Sequence, residues 1–315
     1  MRDILTVTLN PALDLATSVN HIEPNVKLRC AAPEIDPGGG GLNVARAIHQ
    51  LGGKARCFVS LGGDTGQTLL HLLQSRGLSP VVHQAPGETR QSLAVNDLSG
   101  TDQYRFMLPG PEWHRQDIAS AREGIREACG KDGFLVLSGS GPTGSSPALY
   151  AHICQDLADT DVKVILDTSG PTLGHLAAGQ DKPPFVLRMD HLEAEELARK
   201  PLASREDSAD FAARLIRRGA AEMVIVARGA DGSVMVSEKG SWHVTAAPVR
   251  VDSMVGAGDS FVGAFTMGVA QGEDPLEALR WGAAAASAAV STPGTQLCHR
   301  ADFDTLLPAC VISQM

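Results

Sequence analysis

The sequence predicts an α/β protein of three layers: helices on both faces of a mostly parallel central sheet, with a small antiparallel β lid attached. Three observations lead there. Short apolar runs with almost no polar alternation recur along the chain, as strands buried on both faces do. Segments with apolar residues at helical spacing separate them, most closing on glycine. Two stretches, about 14–35 and about 88–108, break this rhythm with alternation and turn signals such as "LSGTDQ".

Taken in order, "ILTVTL" opens the chain as a strand, and the stretch that follows fits no crossover helix. "GLNVARAIHQLGG" reads as a helix, "RCFVSL" as a strand and "TGQTLLHLLQSRG" as a helix. After the second irregular stretch come strand "FLVLS", helix "SPALYAHICQDLADT", strand "VKVILDT", helix "EDSADFAARLIRRG" and strand "MVIVARG". From Gly256 onward the pattern is helical, with Pro275 at a helix start. Strands alternating with helices imply a parallel sheet covered on both sides. We expect one domain over residues 1–315, the irregular stretches forming its lid, and find no internal repeat.

Composition narrows the function. Hydrophobic residues make up 43% of the 315 and charged residues 20%, enough for a sizeable core. Against 36 acidic side chains stand 27 basic ones, a net charge of −9. General nucleic-acid or anionic-membrane binding would call for a basic surface, so neither partner is expected. An anionic ligand must be met by a local cluster. The six cysteines form no CxxC pair, which argues for reduced thiols and a cytoplasmic protein. No signal peptide or membrane span is apparent.

Three glycine-rich turns carry the chemistry. "PGGGGLNVARA" runs into a helix with Asn43 in its first turn, where an amide can hold a hydroxyl or simply cap. "GSGPTG" is a literal GxGxxG after a strand, with Asp167 closing the next strand at roughly the distance of a ribose-binding acid, and suggests a dinucleotide-binding oxidoreductase. Pro142 and the "SSP" before the helix count against that reading. "VGAGDS" can turn the amides of Gly256, Ala257 and Gly258 toward one point at a helix start. Charge developing there would be stabilised without reorganisation. Asp259 beside it could take a proton from a hydroxyl, or merely cap the helix. No GxxxxGK[ST] match exists, so a kinase here is not of the P-loop kind.

Together these turns resemble the ribokinase-like carbohydrate kinase family in its phosphofructokinase B branch. "TLNPALDLA", "GGGGLNVARA", "SGS" after a strand and "VGAGDS" before a helix occur in that family's order over essentially the whole chain. The resemblance implies ATP- and Mg2+-dependent transfer of a phosphoryl group to a sugar-phosphate hydroxyl. Within the branch, "KLRCAAPEIDPGGGGLNVARA", "TRQSL", "QYRFMLPG" and "GTQLC" point to fructose 6-phosphate; tagatose 6-phosphate and fructose 1-phosphate are the alternatives.

By that resemblance Asp259 is the base and Gly256, Ala257 and Gly258 form the anion hole. Asp14 and Asn43 grip sugar hydroxyls, with Gly39, Gly40 and Ser140 lining the pocket. Lys27, Arg90 and Arg105, all within the irregular stretches, neutralise the substrate's phosphate; guanidinium forks suit that task. Ala227, Gly229, Val251, Val255, Ala283, Ala286 and Ser287 surround the nucleotide, although a tightly packed helix pair would use the same alanines. The carbonyls of Ser253, Val255, Ala289 and Gly294 match a monovalent-cation site, expected to take K+.

The family's Lys-x-Asn-x-x-Glu segment appears as Arg188, Asp190 and Glu193. Asp190 with Glu193 is expected to hold Mg2+ through water, or else to mark a weakly active sugar-phosphate-binding regulator. Met254 stands where Thr is usual, and Pro293 where Asn often precedes the cation loop. A projecting sheet would expose an apolar face, so a homodimer joined through the lid is expected.

Overall fold

In the computed structural model, residues 1–100, 102–292, 294 and 296–315 are described. Pro293, Thr101 of "LSGTDQ" and Thr295 of "GTQLC" lie outside the described residues.

The chain opens with β1 (Ile4–Thr8) and passes directly into β2 (Ala12–Val19) and β3 (Glu34–Gly38). Helix α1 (Gly40–Gln50), β4 (Arg56–Leu61), α2 (Gly63–Ser75) and β5 (Ser79–Gln84) follow. Then come β6 (Arg90–Asp97), β7 (Gln103–Met107), α3 (Arg115–Ala128), β8 (Asp132–Ser138) and α4 (Leu149–Asp156). The next stretch holds β9 (Asp161–Asp167), α5 (Gly170–Ala177), β10 (Val186–Asp190), α6 (His191–Ala198) and α7 (Arg205–Arg217). Strands β11 (Met223–Ala227), β12 (Ser233–Ser237) and β13 (Gly240–Val244) precede α8 (Ala257–Gln271), α9 (Pro275–Val290), α10 (Arg300–Leu306) and β14 (Ile312–Gln314).

The main sheet has the order β14-β13-β12-β11-β10-β9-β8-β1-β4-β5. From β5 to β11 it is parallel; β12, β13 and β14 add an antiparallel edge. Because side chains alternate along a strand, each parallel strand feeds two cores. Leu5, Val7, Leu135, Leu137, Val224 and Val226 lie under α3 to α7, with Ile125, Ile153, Leu173, Ala194 and Phe211. Ile4, Phe134, Val136, Met223 and Ile225 face the other way, against Val44, Phe265 and Ala284 of α1, α8 and α9. Helix α2 sits on that second side through Leu69 and Leu73. The three expected layers are thus present, held by apolar area on both faces.

Two expectations need correction. The small sheet, ordered β3-β2-β6-β7, is not wholly antiparallel: β2 and β6 run parallel. Its strands span Ala12–Val19, Glu34–Gly38, Arg90–Asp97 and Gln103–Met107, so residues 20–33 are no part of it. The chain after Gly256 is not helical throughout either. Its last segment pairs as β14 with Trp242–Val244, because the β13 edge offers unpaired backbone groups.

Candidate active site

In open α/β sheets a ligand crevice forms where the strand order reverses, beyond the carboxyl ends of the strands. Here the reversal lies at β1, flanked by β4 on one side and β8 on the other. The start of α1 closes over that point: a Cβ on Gly40 would run into Ser138 Oγ and come within 2.9 Å of the Gly139 nitrogen. Only glycine lets the "GGGG" turn approach β8 this closely. Gly39 has φ 128°, which also favours glycine.

Across the crevice, Gly256 caps α8 in the left-handed region with φ 76°. Ala257 and Gly258 form the first turn, so their free amides and the helix's positive end share one opening. Asp259 lies in the same turn, half-buried. Its Oδ2 accepts a hydrogen bond from Asn43 Nδ2 at 3.0 Å. Burial pushes its carboxyl up to about 6, with Asp167 adding to the rise; Asn43, Arg188 and Arg46 oppose it. A carboxyl of that pKa is ionised and basic near neutrality, as a general base should be. The arrangement therefore joins Asp259, Asn43 and the glycine turn.

Arg188 reaches the same place from β10. Its Nη1 is 3.0 Å from Asp167 Oδ1, and a Cβ on Gly258 would come within 2.9 Å of Nη1. Among the described residues its buried Nε has no hydrogen-bond partner. The cation is thus braced by Asp167 against the backbone of the anion turn. Asp190 and Glu193 also serve the backbone. They form a reciprocal capping box on α6: Glu193 N donates to Asp190 Oδ1 at 2.9 Å, and Asp190 N to Glu193 Oε2 at 2.8 Å. Burial raises the Glu193 carboxyl, and Asp190 and Asp167 raise it further.

Among the described residues no three His, Cys, Asp or Glu side chains form a ready metal cage. Mg2+ commonly binds through one or two carboxylates, waters and substrate phosphates. The crowded oxygens of Asp167, Asp190 and Glu193 fit that use, since a divalent cation would relieve their mutual repulsion.

On the lid side, register places Asp14 beside Asp36 and Ser92, and Ala94 beside Arg105, on one face of the small sheet. Ser92 Oγ donates to Asp14 Oδ1. Burial raises the Asp14 carboxyl, while Ser92, Arg90 and Arg105 pull it back. Arg90 donates from Nε and Nη2 to the Asn10 carbonyl at 3.3 Å, and Asn10 Nδ2 donates to Ser140 Oγ at 3.4 Å. So Asp14, Arg90, Arg105 and Ser140 meet around the crevice mouth. Lys27 does not join them: it is exposed in the segment 20–33 and makes no hydrogen bond or ion pair among the described residues.

The nucleotide wall is divided. Ala227 is half-buried at the end of β11, Gly229 and Val251 are exposed, and Val255 is half-buried. Ala283 and Ser287 are buried on α9. Ser287 Oγ donates to the Ala283 carbonyl at 2.9 Å and accepts from Ala247 N at 3.1 Å. These bonds pack that face of α9 against the segment after β13, and Ala286 between them is half-buried. The cation loop is likewise partial. Ser253 Oγ donates to the Gly294 carbonyl at 2.8 Å, joining those segments. The Ala289 carbonyl accepts from Thr292 N at 3.1 Å, and Thr292 Oγ1 lies 2.8 Å from it and 2.9 Å from the Gln296 carbonyl, with one proton for the two.

"GSGPTG" is no dinucleotide fingerprint. Helix α4 starts only at Leu149, and Asp167, the presumed ribose acid, is committed to Arg188. Four participants escaped the reading of the sequence: Asn10, Arg46, Ser92 and Asp167 in its actual role. Asn10 lay inside the quoted "TLNPALDLA" and Arg46 inside "GGGGLNVARA", but only tertiary contact shows their partners.

The pfkB family carbohydrate kinase profile matches residues 7–302. An ATP-dependent 6-phosphofructokinase isozyme 2 of Mycobacterium tuberculosis is 38% identical over 301 residues, 96% of this chain and 88% of that protein. The Escherichia coli protein of the same name is 36% identical over 300 residues, covering 95% and 96%. A 1-phosphofructokinase of Vibrio cholerae is 27% identical over 314 residues, covering 100% and 98%. The crystal structure of E. coli phosphofructokinase-2 with potassium superposes with TM-score 0.90 at 34% identity, covering 98% and 99%. Its tetrameric inhibited form gives 0.89 at 35% identity with the same coverage. By these matches over nearly its whole length, the chain belongs to the pfkB family of carbohydrate kinases.

Proposed function

We propose that this protein is an ATP- and Mg2+-dependent 6-phosphofructokinase of the cytoplasm, acting on the 1-hydroxyl of fructose 6-phosphate. Asp259, held by Asn43 beside the amides of residues 256–258, is the observation that carries the reading. Asp14 and Asn43 orient the sugar hydroxyls, and Gly39, Gly40 and Ser140 line the pocket. Asp259 takes the hydroxyl proton while that oxygen bonds to the γ-phosphorus of ATP. The bond from phosphorus to the β-bridging oxygen breaks, and ADP leaves. Amides of Gly256, Ala257 and Gly258, with Arg188, stabilise the charge on the transferred group; such positioning is most of what phosphoryl transfer asks of a protein.

Arg90 and Arg105 lie close enough to act electrostatically on Asp14, which supports a role for them on the substrate's own phosphate. Lys27, exposed in the segment 20–33, is the third cation proposed for that phosphate. Asp190 and Glu193 would hold Mg2+ through waters, and the ion would supply charge neutralisation along the triphosphate. Ala227, Gly229, Val251, Val255 and Ala286 border the adenosine. K+ would sit among the carbonyls of Ser253, Val255 and Gly294, adjoining the anion turn.

The small sheet supports a homodimer. Opposite its polar face it presents Ile35, Leu93, Tyr104 and Phe106, all exposed and brought to one face by register. A second copy covers such a face most simply.

The test is an acceptor panel: purified protein, ATP and Mg2+ with fructose 6-phosphate, tagatose 6-phosphate or fructose 1-phosphate, following ADP. Fructose 6-phosphate is expected to give the highest kcat/KM. Preference for another acceptor overturns the substrate, and binding without ADP release from any of them overturns the enzyme.

A further inference from the structure

Arg46 is buried, 8% exposed, one turn beyond Asn43 on α1. A guanidinium is costly to bury unless its donors are used. Here they are used in two directions. Nη1 donates to Asn43 Oδ1 at 2.9 Å and to the Pro37 carbonyl at 3.3 Å. Nη2 lies 3.9 Å from Asp36 Oδ1, and that carboxylate also holds Arg76 at 2.5 Å. Asp36 and Pro37 belong to β3, the lid strand paired with the strand that carries Asp14.

The consequence for Asn43 follows from donor counting. Arginine offers only donors, so the atom of Asn43 that faces Arg46 must be its oxygen, and the NH2 must face Asp259. Without Arg46 the amide oxygen loses its donor, and Asn43 is held at one end only, by the Asp259 carboxylate. We infer that Arg46 is a positioning residue: it fixes the Asn43 amide toward Asp259 and fastens that orientation to lid strand β3. The base is thereby held in its working geometry only when the lid strand is in place. This rests on Asp259 being the base of the proposed kinase reaction.

The charged groups facing Asp259 are Asp167 from β9, Arg188 from β10 and Arg46 from α1. Those facing Arg46 are Asp36, Arg76, Asp14 and Asp259. Loss of the Arg46 cation and of the Asn43 donor both favour protonated Asp259.

The test compares Arg46→Gln and Arg46→Lys, each with Asp259 intact and in the Asp259→Asn background, by kcat, KM, pH profile and Tm. Arg46→Gln is expected to lower kcat roughly ten- to hundredfold, the scale of a small misplacement of a catalytic group. KM for the sugar phosphate should stay within about threefold, since binding is not what is lost. The acid limb of the kcat profile should move to higher pH. In the Asp259→Asn background the same change should lower residual kcat by less than about twofold, because residues acting as a unit are not additive. Arg46→Lys keeps the charge but not the fork, so the acid limb should return toward wild type while kcat stays reduced. This variant decides the matter if Arg46→Gln fails to fold.

An equal kcat loss in both Asp259 backgrounds, an unmoved acid limb in Arg46→Gln, or a pure KM effect overturns the coupling alone. Wild-type turnover that survives Asp259→Asn overturns the base assignment, and the coupling with it.

Discussion

At the scale of single residues, Asp259 makes the sharpest demand. Its carboxyl is pushed up to about 6 by burial and the nearby Asp167, and only its ionised form can accept a proton. The kcat of the phosphoryl transfer should therefore rise through about pH 6 and level above it. Stability runs the opposite way. A carboxyl with a folded pKa above its unfolded value favours the folded state while protonated, and that contribution is lost as pH rises through about 6. Asp259→Asn should lower kcat by about 10²–10⁴ and raise Tm relative to wild type at pH 8. The gain should shrink toward pH 5. A Tm difference independent of pH would refute the account. Asp259 and Asn43 were legible because each sits in a glycine-rich turn before a helix. That they bond to each other was not, since 216 positions separate them. Asp167 shows the same limit: sequence distance from "GSGPTG" suggested a ribose acid, whereas the fold hands it Arg188.

At the scale of elements, the anion turn depends on how α8 begins. Gly256 has φ 76°, and a Cβ there would run into Leu297 Cδ2. The other end of the helix provides a control, because Gly272 has φ 98° and open space around it. A left-handed non-glycine residue costs about 1–2 kcal/mol, so Gly256→Ala and Gly272→Ala should both lower Tm. Only Gly256→Ala should also lower kcat, by roughly tenfold or more, because it displaces the amides that meet developing charge. Equal kinetic effects would show that helix stability, not the turn, sets the rate. This turn was readable from "VGAGDS", and the buried strands from their apolar runs. Helix α6 was not read as a helix although its signal was present. Asp190 and Glu193 stand three apart ahead of a helix, the spacing of a capping box, and each carboxylate serves the other's backbone amide. Strand β14 left no such mark, since three residues at a sheet edge carry no period.

For the whole molecule the open question is what covers the lid. Alternation in β2, β6 and β7 told of a small sheet, and its two faces follow from register. Asp14, Ser92 and Arg105 share one, while Ile35, Leu93, Tyr104 and Phe106 share the other, 37–52% exposed. Which copy meets which could not be read, because no residue pattern within one chain records its neighbour. Burying what remains exposed of these four side chains recovers about half of the ~1.5–3 kcal/mol each would give if fully transferred. Two copies would thus gain on the order of 10 kcal/mol, comparable to the ~4–15 kcal/mol that association costs. A dimer so balanced should form at working concentration and separate on dilution. Leu93→Arg with Phe106→Arg places four cations in the seam and should give monomers by light scattering. The main sheet lies elsewhere, so Asp259, Asn43 and the anion turn should persist, and ATP affinity should stay near wild type. The fructose 6-phosphate KM should rise, because Asp14, Arg90 and Arg105 stand on the lid strands that the proposed dimer would steady. A monomeric wild type, or a monomeric variant with unchanged KM, would separate the lid's contribution to the site from its partner's.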